Sequence, residues 1–186
     1  MPIQSWGQTL ITAQVDGSSL SNSTTATSIL PAQAKFTLPA NTLNIGQSLR
    51  IKAAGRLSNI VTTPGTLTLD IKFGSTIIFG GGAMQMSTTA HATLPWWYEA
   101  LLTCRAVGSS ANFMGQAIAT SQCLSLTAVA DSTTTPATLL VPNTTPAVGT
   151  NFDSTTSQVI DMFATFSIAN AGNLIQLHQF SLEMMN

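Results

Sequence analysis

Apolar and polar residues alternate one for one along much of this chain, the pattern of strands with one face buried and the other open. The clearest run is residues 66–73, where Leu67, Leu69, Ile71 and Phe73 share one face and Thr66, Thr68, Asp70 and Lys72 the other. Residues 48–54 behave alike, with Leu49, Ile51 and Ala53 opposed to Arg50, Lys52 and Ala54, and Gly55 then permits a bend or bulge. Thr62-Thr63-Pro64-Gly65 is turn chemistry, so these two strands are expected to be antiparallel neighbours. A short apolar run, residues 76–79, ends at Gly80-Gly81-Gly82.

From 94 to 107 the even positions Leu94, Trp96, Tyr98, Ala100, Leu102, Cys104 and Ala106 form one apolar series, which predicts a long, bent strand. After the turn Gly108-Ser109-Ser110, residues 112–120 alternate again and should pair with it. Leu139, Leu140 and Val141 are a strand island within the Thr, Pro and Asn-rich stretch 131–156. The last two strands are read at 159–168 and 173–184, with Asn170-Ala171-Gly172-Asn173 as the turn before the second. That final strand needs a bulge near His178 if Leu177 and Phe180 are to share a face. No 3.6-residue period persists and there is no internal repeat. The reading is an all-β chain, an antiparallel two-sheet β-sandwich of jelly-roll type.

Residues 1–30 stand apart. Between 17 and 28 the sequence is almost wholly Ser, Thr and Asn, with too little apolar surface to offset its own ordering entropy. They are expected to form an extended N-terminal arm outside the core, tied down by a neighbouring copy or a partner, with residues 31–186 making the sandwich. Residues 1–7 offer neither a basic region nor a continuous apolar one, so no secretory signal is expected.

Charge changes the picture most. Only 7% of the residues are charged, against about 25% in ordinary soluble domains, and the net charge is -1. Little electrostatic repulsion keeps copies apart. The six Lys and Arg are scattered, which argues against nucleic acid and against an anionic membrane surface. No apolar run approaches the ~18 residues of a membrane-spanning helix. Cys104 and Cys123 are read as buried free thiols rather than a disulfide.

The search for catalytic chemistry finds no constellation. His91 and His178 have no ligand-type neighbours at metal spacing, there is no Gly-x-Ser-x-Gly elbow, and the triple glycine lacks the Lys of a phosphate loop. No spacing favours any pair of the seven carboxylates. No enzyme activity, metal or cofactor is therefore expected. Asp153, ahead of Ser154-Thr155-Thr156, is read as the cap of a turn. Glu99 and Arg105 lie on one strand face but about 20 Å apart, so their partners must come from neighbouring strands.

Trp96-Trp97-Tyr98 is the sharpest local cluster. A strand puts Trp96 and Tyr98 on one face and Trp97 on the other. Trp97 could pack within the subunit, anchor a protein interface or stack on a sugar. Trp6 in the arm, Trp97 and Arg105 are the candidate interface residues.

The order of segments at residues 36–43, 46–55, 65–74 and 96–108, with Asp153-Ser154-Thr155-Thr156 and the closing Asn173-Leu174-Ile175, resembles a family of small jelly-roll structural proteins of tailed bacteriophages. Such proteins are similar to tumour-necrosis-factor-like jelly rolls, commonly trimeric, and serve as head decoration or cement proteins or as tail and fibre components. The resemblance implies a homotrimer on the capsid surface of a virion, bound to the major capsid protein and stabilising the shell. It carries no catalytic residues. The alternative is a tail-tip or fibre receptor-binding domain that binds glycan around Trp97 or the 131–156 segment, and a third is a free carbohydrate-binding module.

Overall fold

The alternation read in residues 66–73 reappears as side chains sealed inside: Leu67, Leu69, Ile71 and Phe73 are buried and the residues between them are not. The computed structural model describes residues 7–125, 136–142, 144–145 and 147–185. Among these the chain forms β1 (Gly7–Thr12), β2 (Leu20–Ser21), β3 (Thr27–Ser28), β4 (Phe36–Leu38), β5 (Ser48–Asn59), β6 (Thr66–Phe73) and β7 (Thr76–Gly80). It continues through β8 (Met84–Gln85), β9 (His91–Ala106), β10 (Asn112–Ser121), β11 (Ala137–Val141), β12 (Gln158–Phe166) and β13 (Leu174–Met185). The one helical element described is a single 3-10 turn at Ala32–Ala34.

Two antiparallel sheets result. The first runs β1-β13-β5-β9-β10-β11, with β2 also on β13; the second runs β3-β12-β6-β7, with β4 also on β12 and β8 on β6. Successive long strands cross between them, β5 in the first, β6 and β7 in the second, β9 to β11 in the first, β12 in the second and β13 in the first. This is an all-β sandwich of jelly-roll type, as the alternation predicts.

Three phenylalanines join the layers. Phe73 of β6 meets Phe113 of β10 edge-on at 5.6 Å between ring centroids and Phe152 at 4.8 Å, while Phe113 and Phe152 stack at 5.4 Å. Such pairs add about 0.5–1.5 kcal/mol each beyond the area they bury. Beside them β10 carries Gly115, where a Cβ would come within 2.3 Å of the Phe79 ring of β7. A larger residue there would push the sheets apart.

Two expectations are corrected. The strands β5 and β6 are not neighbours, because the segment joining them passes from one sheet to the other. A turn between two alternating strands can let them pair edge to edge or stack face to face, and here buried amides hold the second arrangement. Asn59 donates to the carbonyls of Ser87 (2.6 Å) and Thr89 (2.7 Å). Asn173 accepts from the Ile60 N–H (3.1 Å) and donates to the Pro64 carbonyl (2.9 Å). The turn at 170–173 likewise joins strands of different sheets.

The described residues before 31 are extended, but they lie on the sandwich of their own chain. β1 and β2 add to β13, and β3 adds to β12. Gly17 N–H donates to the Leu177 carbonyl and Ile29 N–H to that of Met162, both at 2.9 Å. Leu20, Ile29 and Leu30 are buried. Backbone pairing to β12 and β13, with three apolar plugs, orders a stretch whose composition alone would not.

Replacing Asn173 by Ala leaves the Ile60 N–H and Pro64 carbonyl without these partners, and should cost about 2–4 kcal/mol in urea unfolding. Tyr98→Phe should act oppositely. The Tyr98 hydroxyl is buried with no hydrogen-bond partner among the described residues, and burial pushes its phenol above its ordinary range. Removing it should leave stability unchanged or raise it by up to about 1 kcal/mol, and a clear loss would show that the hydroxyl is satisfied.

Candidate functional site

Alternation along β9 fixes the site. Trp96, Tyr98, Ala100, Leu102 and Cys104 point into the sandwich, which turns Trp97, Glu99, Leu101 and Thr103 to the outer face of the seven-stranded sheet. Trp97 is 44% exposed there. Register places it between Thr120 of β10 and Ala54 of β5, with Gln179 of β13 beyond.

Four of the charges on this face answer one another. Arg50 of β5 donates through Nε to Glu99 at 2.6 Å, and Lys52 reaches Glu183 of β13 at 3.4 Å. Both pairs are diagonal across adjacent strands. Glu99 thus finds its partner on a neighbouring strand, as its spacing from Arg105 requires.

Toward the β11 edge the face becomes apolar. Leu140 of β11 stands opposite Ile118 of β10, and Leu101 of β9 lies diagonal to Ile118. These three are 62%, 44% and 46% exposed. They border one shallow depression with Glu99 and Gln116.

Toward β13 lies a groove of about 550 Å³, lined by Arg56, Pro95, Trp96, Trp97, His178 and Gln179 among others. The bulge expected near His178 makes it. The register of β13 against β5 slips between Leu177 and Gln179, so Leu177 and Phe180 both face inward and His178 and Gln179 both turn outward. Gly55 stands opposite, where a Cβ would come within 1.9 Å of the Gln176 carbonyl. The same carbonyl accepts from the Trp96 indole N–H at 3.2 Å. His178 is held through Nδ1 by Asp16 at 2.7 Å. Arg56 makes no ion pair or hydrogen bond with another side chain among the described residues.

The three candidate interface residues are not brought together. Trp6 lies outside the described residues. Trp97 sits near the middle of β9 and Arg105 near its end, about 26 Å apart along the strand. Arg105 is exposed and has no ion pair among the described residues. The apolar band was missed because each member is a single apolar residue on an otherwise polar face. Its signal is the odd-position Leu101 and the even-position Ile118, each out of phase with its own strand's buried series.

No group of three or more His, Cys, Asp or Glu that could hold a metal occurs among the described residues. Asp153 caps its turn as read, accepting from the Thr155 N–H (2.8 Å) and hydroxyl (2.6 Å), which hold its carboxyl below the usual range. Cys104 and Cys123 are buried free thiols. Burial pushes the Cys123 thiol up to about 11 and raises that of Cys104.

No protein-family model and no curated protein matches the chain. Among solved structures it is similar to the CBM2 module of the evolved Dit of Lactobacillus casei BL23 phage J-1, at 10% identity and a TM-score of 0.35 over 99% of this chain and 98% of that one. That likeness assigns neither ligand nor role to this chain.

The thiols give a direct check on the fold around the site. At neutral pH neither should react with a disulfide reagent in the native protein, since both are buried and protonated, and both should react once urea unfolds it. Native labelling would mean that the β9 end or the segment after β10 opens readily.

Proposed function

We propose that this protein is a non-enzymatic structural protein of a bacteriophage particle, a jelly roll that assembles with copies of itself through the outer face of its seven-stranded sheet. In the finer form of the proposal it is a homotrimeric cement protein on the capsid surface, bound to the major capsid protein. The observation that carries the self-association is the exposed apolar band of Leu101, Ile118 and Leu140 beside charges already paired within the sheet. Charges paired in this way set up little local excess of one sign beside the band with which to repel a copy, and the apolar band gains by leaving water. A closed ring of three needs this face to meet a different surface of the next subunit. Spreading a trimer's contacts over several shell subunits would then stabilise the shell by multivalency. The resemblance of the sequence segments, in their linear order, to phage jelly-roll proteins supports the setting.

A second reading is a receptor-binding module at a tail tip or fibre. The half-exposed Trp97 at the wall of a groove favours it, because an aromatic face beside polar groups suits a sugar ring. The two readings use different parts of one face and are separable.

Sedimentation of the purified chain should give three times the chain mass. Ile118→Arg should weaken association about tenfold or more and shift the protein toward single chains, while Trp97→Ala should leave the mass unchanged. A native protein that sediments as a monomer overturns the assembly. Electron microscopy of particles carrying the labelled protein tests its place, and label confined to the tail overturns the cement role.

A further inference from the structure

We propose that the groove beside Trp97 binds a carboxylated sugar, with the pyranose ring stacked on the Trp97 indole and its carboxylate held by Arg56. The proposal rests on the glycan-binding reading above and names the class of sugar.

Charge within the groove selects the class. Of the cations on this face, Arg50 is answered by Glu99 and Lys52 by Glu183, while Arg56 and the distant Arg105 have no ion pair among the described residues, and of these two only Arg56 lines the groove. Among the described residues no Asp or Glu lines the groove, and Asp16 is occupied with His178. The groove therefore carries a free guanidinium, whose planar fork fits a carboxylate through two parallel hydrogen bonds.

Register puts this cation at the right reach. Arg56 stands opposite Pro95, so Trp97 is its diagonal neighbour, about 7–8 Å away between Cα atoms. That is the span of one sugar ring with a carboxylate at its rim. Pro95 carries no polar side chain to compete for the guanidinium. Directly across from Trp97 stands Ala54, whose small side chain leaves the indole open. Because the bulge turns His178 and Gln179 outward together, two polar side chains face the ring from the third strand. A bare inorganic anion would use Arg56 and leave Trp97 idle, whereas a neutral sugar would do the reverse. The volume, about 550 Å³, lies within the roughly 300–1,000 Å³ typical of small-ligand clefts.

The full chain is titrated, by tryptophan fluorescence and by calorimetry, with sialyllactose against lactose and with trigalacturonate against its methyl ester. At least one acidic probe should bind about tenfold tighter than its neutral counterpart. Arg56→Gln should erase that preference and leave the neutral probe unaffected, and Trp97→Ala should weaken both. Equal binding of acidic and neutral probes, unchanged by Arg56→Gln, overturns the acidic class while the glycan reading stands. No binding of any of the four probes overturns both. Both side chains are exposed, so neither variant threatens the fold, and unchanged sedimentation separates either result from a change in assembly.

Discussion

Everything in this sandwich leans on the last two strands of the chain. β13 lies between β5 on one side and β1 and β2 on the other, and β12 lies between β6 and the short strands β3 and β4. Without them the first sheet loses its link to the N-terminal strands and the second keeps only β6, β7 and β8. The residues that pair are thus far apart in sequence, and loop-closure entropy must be met before those pairings form. The aromatic triangle of Phe73, Phe113 and Phe152 fastens the layers once they have met, while the backbone ladders to β12 and β13 decide which strands meet at all.

The same central strands shape the outer face. β5, β9 and β13 present their polar residues side by side, so the few charges available fall into diagonal pairs rather than a field of one sign. What remains is divided between the two sides of Trp97, apolar toward β11 and cationic toward β13. A chain so poor in charge leaves arginines without an ion pair among the described residues, and of these Arg56 is the one that lines the groove. In a surface with the usual density of carboxylates its guanidinium would have found a partner.

Much of this was legible in the sequence because a period of two is imposed by the strand itself. The buried faces of β6, β9 and β10 follow from counting, and so does the bulge at His178, since Leu177 and Phe180 cannot otherwise both be buried. Pairing was less legible. Turn residues at 62–65 announce a reversal of direction but not whether the next strand lies beside or across, and that choice rests on Asn59 and Asn173, whose partners are distant in sequence. The residues before 31 misled for a related reason: their composition is that of a loose tail, and their order comes from β12 and β13. The apolar band escaped because Leu101, Ile118 and Leu140 become one surface only after the register of three strands is known, whereas the separation of Trp97 from Trp96 needs one strand alone.

The place of β13 also bears on the order in which the sheets can form. Until β12 and β13 have been made, β5 lacks its partner on one side and β1 has none among the described strands, so neither sheet can be completed before them. The residues before 31 must wait for those two strands, extended and Thr-rich. A stretch so poor in apolar residues is a suitable one to leave waiting, because it offers other nascent chains little to stick to.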